Sequence, residues 1–232
     1  LHRSLTKPFL SCGVDFPREI ALRTPKKLPR EVLEPHLFPD VPFGEKGPVV
    51  DWQQVFGNTH PVEIEVGFGK GLFFISEAMK HPERNFFGIE VMRKLQLYVA
   101  QRAFIRNLKN VKLACADARA FLQDRVLPQS VETIHVYFPD PWWKARHKKR
   151  RVFTPEFAEN AARVLIPNGL LKIATDVEEY FGVMTEIARN RKEFLEEPVV
   201  PAEPVSLASM TNFERKAFLK GTPIWRTQFR RL

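Results

Sequence analysis

From Val62 onward, short β-rich runs alternate with segments of helical pattern, and this alternation restricts the fold more than any other feature. VEIEV (62–66), NFFGIEV (85–91), VKLACAD (111–117), VETIHVYF (131–138) and LLKIATD (170–176) predict five strands. LFFISEAMKH (72–81), residues 92–108, ARAFLQDRV (118–126) and residues 153–166 predict the helices between them. One more helix follows the fifth strand to about Arg191. Thr154-Pro155-Glu156 opens the fourth helix, because threonine suits the N-cap and proline the first helical position. Asn168-Gly169 is expected to end it. FLEEPVV (194–200) and IWRTQF (224–229) are two further strand candidates. Such alternation builds βαβ units. With right-handed crossovers and a reversal after the first unit, it gives a doubly wound α/β sheet with helices on both faces. Ligands of these sheets bind beyond the carboxyl ends of the strands.

Residues 1–61 have another texture. They hold nine of the nineteen prolines, a density that opposes regular helix and central strand alike. The chain therefore divides into an irregular arm, 1–61, and a domain, 62–232. Within the arm, RTPKKLPR (23–30) is basic and reads as a solvated linker or a phosphate contact. The formal net charge is +9, which favours a polyanionic partner, nucleic acid or an anionic membrane surface. No run approaches the roughly 18 apolar residues of a membrane span. Cys12 and Cys115 are far apart, and the histidines show no ligand spacing. These features predict a cytoplasmic protein with no membrane association and no structural metal.

Strand ends carry the chemistry. The first ends in EVGFGKG (65–71), where Gly67, Gly69 and Gly71 permit a tight turn and close approach to a ligand ahead of a helix. A dinucleotide fingerprint would put glycine at position 72, which is leucine. The observed spacing is similar to the first motif of class I methyltransferases that use S-adenosylmethionine, and Glu65 suits that cofactor's cationic end. Glu90 ends the second strand, nineteen residues past Gly71, where a carboxylate can accept both ribose hydroxyls. Asp117-Ala118 ends the third, where an acid and a backbone N–H can meet adenine. Each acid has an ordinary alternative: a surface glutamate, a helix-dipole partner, a helix cap. Their succession at three strand ends, in the order this cofactor needs, favours the cofactor.

The fourth strand runs into FPDPWWKARHKKRR (138–151). Pro139 and Pro141 fix the backbone around Asp140, so its carboxylate is aimed. Trp142 and Trp143 can wall or stack a base, at roughly 1–3 kcal/mol per stacked base. Lys144, Arg146, His147, Lys148, Lys149, Arg150 and Arg151 form a run without a carboxylate, suited to phosphate. Asp176 ends the fifth strand. Near the C-terminus, Thr211, Asn212 and Glu214 can meet a purine edge, or can simply open a helix at capping-box spacing.

VEIEVGFGKG, FFGIEV, FPDPWWKARHKKRR, IATDVEEY and TNFER, in this order, resemble the bacterial tRNA (guanine-N7)-methyltransferase family over residues 62–232. The resemblance implies a Rossmann-like class I methyltransferase sheet, mostly parallel with an antiparallel C-terminal strand. It implies methylation of guanosine 46 in the tRNA variable loop from S-adenosylmethionine, leaving S-adenosylhomocysteine, without a metal. Residue by residue, it implies that Glu65, Gly67, Gly69, Gly71, Glu90, Asp117, Ala118 and Asp140 hold the cofactor. Asp140 is then also catalytic, and Lys144, Asp176, Thr211, Asn212, Phe213 and Glu214 bind substrate. Arg146, His147, Lys148, Lys149, Arg150 and Arg151 contact RNA. A monomer or homodimer without an obligate protein partner is implied as well. Three departures stand out: the arm lacks the family's arginine- and glycine-rich stretch, Trp143 replaces proline or histidine, and Arg226 replaces aspartate.

Guanine N7 carries a lone pair and no proton, so its methylation needs no general base. Asp140 or Asp176 is expected to accept from guanine N1–H and the 2-amino group, donors that adenine lacks together. The competing readings are a methyltransferase of another RNA base position and a catalytically silent RNA-binding relative.

Overall fold

The structure, a computed structural model, describes residues 27–41, 46–199, 214, 215, 217, 219 and 221–232. Among these, seven strands form one sheet: β1 (Val62–Val66), β2 (Asn85–Glu90), β3 (Val111–Cys115), β4 (Val131–Tyr137), β5 (Leu165–Thr175), β6 (Phe194–Glu197) and β7 (Trp225–Arg231). Their order is β3-β2-β1-β4-β5-β7-β6. β1 to β5 pair in parallel, and β7 runs antiparallel to both β5 and β6. The helices are α1 (Arg30–Leu33), α2 (Trp52–Phe56), α3 (Leu72–Lys80), α4 (Arg93–Ile105), α5 (Ala118–Arg125), α6 (Pro155–Val164) and α7 (Glu178–Arg189). The alternation thus produces the doubly wound sheet expected of it, with the reversal after the first unit and the antiparallel strand at the C-terminal end.

Both faces of the sheet are covered, as parallel sheets require. One core gathers Val62, Ile64, Val66, Phe87 and Ile89 with Phe121, Phe157 and Met184 from α5, α6 and α7. The other packs Phe86, Val111 and Leu113 against Phe74 and Ile75 of α3 and Val99 and Ala103 of α4. Strand alternation assigns these residues to opposite faces. It also sends Glu63 and Glu65 of β1 to the face away from Val62, Ile64 and Val66.

Two local features differ from the sequence reading. The helix α6 does end early, but Asn168-Gly169 does not end it. Val164 is its last residue, and Leu165 already pairs with Val131 of β4. Asn168 has φ 64° inside β5, beside a register shift between Val131 and Thr133. The Asn-Gly pair therefore forms a strand irregularity; a Cβ at Gly169 would lie 2.9 Å from the carbonyl oxygens of Glu132 and Ile166. In the proline-rich arm, short helical turns fit between prolines. Pro29 precedes α1, Pro35 sits in a 3-10 turn over Glu34–His36, and α2 lies in the gap between Pro48 and Pro61. Asp51 caps α2 by accepting from the N–H groups of Gln53 and Gln54, and left-handed Gly57 closes it. Leu33, Phe38 and Val50 of this region are buried, and Phe38 N–H donates to Leu113 O at 2.8 Å. Of the basic stretch 23–30, residues 23–26 lie outside the described residues, and Arg30 is paired with Asp40 at 2.9 Å.

Candidate functional site

The glycine turn joins β1 to α3 at the carboxyl edge of the sheet. Gly67, Gly69 and Gly71 have φ 73°, 53° and 62°, the left-handed region that favours glycine. A Cβ at Gly71 would meet both Val99 methyls at 2.8 Å, so this glycine lets α4 pack close. Around Gly67 and Gly69 a Cβ would meet nothing within 4 Å, leaving open space beside the turn. Glu90 ties the turn to β2: Gly69 N–H donates to its Oε2 and Met92 N–H to its Oε1, each at 3.1 Å.

Glu65 is buried, and its Oε2 has no hydrogen-bond partner among the described residues. Burial, then the charges of Glu90, Glu214 and Glu77, push its pKa up to about 8. A buried carboxyl among other carboxylates, next to open space, fits a cationic ligand group. That orphaned oxygen and the open glycine faces are what S-adenosylmethionine requires of the site.

Asp117 does two things at once. It caps α5 by accepting from Arg119 N–H at 2.9 Å, and it pairs with the Arg119 guanidinium at 2.6 Å. Burial opposes its ionisation, but the Arg119 side chain and N–H outweigh it and hold the pKa below the usual range. Arg119 Nη1 also donates to Lys149 O at 3.1 Å, so one guanidinium joins the third strand end to the basic segment. Ala118 beside it is buried.

The loop after β4 is set by two unusual backbone conformations. Phe138 and Trp142 have φ 52° and 43°, rare for bulky residues, and they bracket Asp140. Phe138 N–H donates to Ala174 O of β5 at 2.8 Å. Arg151 reaches back, donating to Pro141 O at 2.7 Å while its guanidinium lies 4.7 Å from the centre of the Tyr180 ring. Residues Ala145–Arg150 form a 3-10 turn whose Arg150 covers Trp142 at 5.1 Å, with His147 edge-on to the same indole. Trp142 is thus half-buried within the loop, whereas Trp143 is 53% exposed. Lys144, Arg146, Lys149 and Arg150 are exposed; of the predicted cations, Arg151 is the one turned inward to brace the loop.

Asp140 and Asp176 follow the ends of neighbouring parallel strands, β4 and β5. Glu214 is clamped by Arg226 of β7 at 2.5 Å, and its charge acts on both Glu65 and Tyr137. Thr211, Asn212 and Phe213 lie outside the described residues, as does Cys12. Among the described residues no group of His, Cys, Asp or Glu is arranged to hold a metal ion, and no helix is long and apolar enough to cross a membrane.

Three partners escaped the sequence reading. Arg119 stands two residues from Asp117, a local spacing that could have suggested it. Arg226 was visible only as a departure from the family pattern, and its contact with Glu214 spans the sheet edge. Behind Glu65, Glu63 accepts from His135 Nε2 and from Arg84 Nη1, each at 2.7 Å, and His135 Nδ1 meets Tyr137 Oη at 3.0 Å. The alternation in VEIEV signals only that two glutamates share a buried face.

A family described as putative methyltransferase matches residues 59–227. A tRNA (guanine-N(7)-)-methyltransferase of Rhodopirellula baltica is 36% identical over 230 residues, covering 93% of this chain and 83% of that protein. A protein of the same description from Aliivibrio fischeri is 37% identical, covering 79% of this chain and 78% of its own. Among solved structures, the 16S rRNA methyltransferase KamB superposes with a TM-score of 0.58 at 18% identity, over 80% of this chain and 94% of that one, a likeness of fold.

Proposed function

The chain belongs to the tRNA (guanine-N7)-methyltransferase family, and on that premise we propose how its site works and which guanosine it modifies. It transfers a methyl group to N7 of guanine in tRNA. The target is guanosine 46 of the variable loop. S-adenosylmethionine, when bound, supplies a methyl group on a cationic sulfur and leaves as S-adenosylhomocysteine. Glu65, the glycines 67, 69 and 71, Glu90, Asp117, Ala118 and Asp140 hold it. The catalytic domain spans 62–232, the arm 1–61 lies against it, and the protein acts as a monomer or homodimer.

The observation that carries this reading is the placement of Asp140. It stands at the apex of a loop held by two left-handed residues and by Arg151, at the sheet edge that carries Glu65, Glu90 and Asp117. N7 has no proton to lose. The chain's work is therefore to orient the base and to balance charge as it moves from sulfur to purine. Asp140 aims the reacting face, while Asp176 and Glu214 accept from N1–H and the 2-amino group. Lys144, Thr211, Asn212 and Phe213 complete the substrate contacts, and the cations from Arg146 to Arg151 hold the RNA. Borohydride followed by aniline cleaves tRNA at N7-methylguanosine. Treated transcript is expected to break at position 46 and to stay whole when that guanosine is replaced; cleavage at another site would overturn the target.

A further inference from the structure

Helix α4 carries an electropositive face that the site above leaves unused. From Val91 to Ala116 the chain has no Asp or Glu, yet it has six Lys and Arg residues. Arg93 is paired with Asp40 at 2.6 Å, and Lys112 Nζ donates to Pro35 O. Lys94, Tyr98, Arg102 and Arg106 recur every four residues, which puts them in one row along the helix. No carboxylate among the described residues pairs with any of these three cations. Arg102 is the hub: its guanidinium is 5.9 Å from the centre of the Tyr98 ring, and its carbonyl accepts from Arg106 Nη1 at 3.1 Å. Its own Nη1 donates to Lys70 O at 2.6 Å. Lys70 lies between Gly69 and Gly71, so the row begins at the glycine turn. Tyr98 is 51% exposed, with its ring free to stack.

Concentrating like charges at this spacing destabilises a helix. A polyanion would relieve that, and a ring among cations is how single-stranded nucleic acid is held. An anionic lipid surface fits less well, since the row contains no aliphatic residue. We infer that this face of α4 is a second docking surface for the substrate RNA: Lys94, Arg102 and Arg106 meet phosphates, and Tyr98 stacks on an unpaired base. The inference rests on tRNA being the substrate.

The test is binding of the full chain to unmethylated tRNA transcript across a salt series. Lys94→Gln with Arg106→Gln is expected to weaken binding about tenfold at low salt and to lower the slope of log affinity against log salt by about 1.5, close to 0.9 per phosphate lost. Tyr98→Ala is expected to weaken binding severalfold at every salt concentration with the slope kept. S-adenosylhomocysteine affinity, by calorimetry, should match wild type in both and so reports on folding. Wild-type binding with variants of unaltered affinity and slope would overturn the α4 surface alone. Absence of tRNA binding by the wild type would overturn the substrate reading with it. Variants that lose only retention on vesicles of anionic phospholipid would assign the face to a membrane instead.

Discussion

Glu63 and Glu65 stand two residues apart on one face of β1 and titrate at opposite ends of the carboxylate range. Burial alone would raise Glu63, but the His135 hydrogen bond and charge, with Arg84 and Lys172, bring it down to about 2. Glu65 is buried with no cation beside it and only carboxylates near, so it rises to about 8. Environments that push neighbouring acids apart mark a working site. The sign for Glu65 follows from its raised value. Its stabilising contribution is whole below its ordinary 4.5 and is lost as pH rises through about 8. A cationic ligand restores the carboxylate, so binding S-adenosylmethionine below pH 8 releases a proton. Calorimetry at pH 6.5 in buffers of different ionisation enthalpy should read close to one proton released. Glu65→Gln should release none and bind more weakly. Wild-type binding with no proton released would contradict the account of this residue.

At the scale of elements, the polar network behind Glu65 ties β1, β2 and β4 together, because Arg84 precedes β2 and also pairs with Glu132 of β4. Glu63 is depressed, so its contribution is present above 4.5 and is lost as pH falls toward about 2. A shift of this size corresponds to on the order of 3 kcal/mol. Urea unfolding of the ligand-free protein should show that loss across the window, whereas Glu63→Gln should start lower at pH 6 and change less. An unaltered slope in the variant would place the acid sensitivity elsewhere. The elements themselves were largely legible in the sequence. β1 to β4 are short apolar runs bounded by turn residues, and Thr154-Pro155 announced α6. Residues 165–169 were not legible, because Asn-Gly satisfies a helix C-cap and a strand irregularity equally, and pairing of Leu165 with Val131 decides between them. The candidate site divides along the same line. Its acids sit at strand ends, which pattern reveals. The arginines that set their geometry, Arg119, Arg151 and Arg226, act through contacts that pattern does not encode.

Across the whole molecule two fields of opposite sign meet at the sheet's carboxyl edge. The chain carries a net charge of +9, yet Glu65, Glu90 and Glu214 act on one another at the glycine turn. The inner acidic cluster suits a cationic methyl donor, and the outer cations suit the RNA that delivers the base. Arg119 joins the two, one guanidinium on Asp117 and on Lys149 O. Between them stands Asp140, and the account gives it the task of aiming the guanine and balancing charge, with tRNA held elsewhere. The measurement that tests this most directly sets single-turnover methyl transfer against tRNA affinity for wild type and Asp140→Ala. The account predicts a loss of turnover of about a hundredfold or more with tRNA affinity changed less than about threefold, the pattern of an interaction made in the transition state. Equal losses of turnover and binding would make Asp140 a substrate anchor and contradict it.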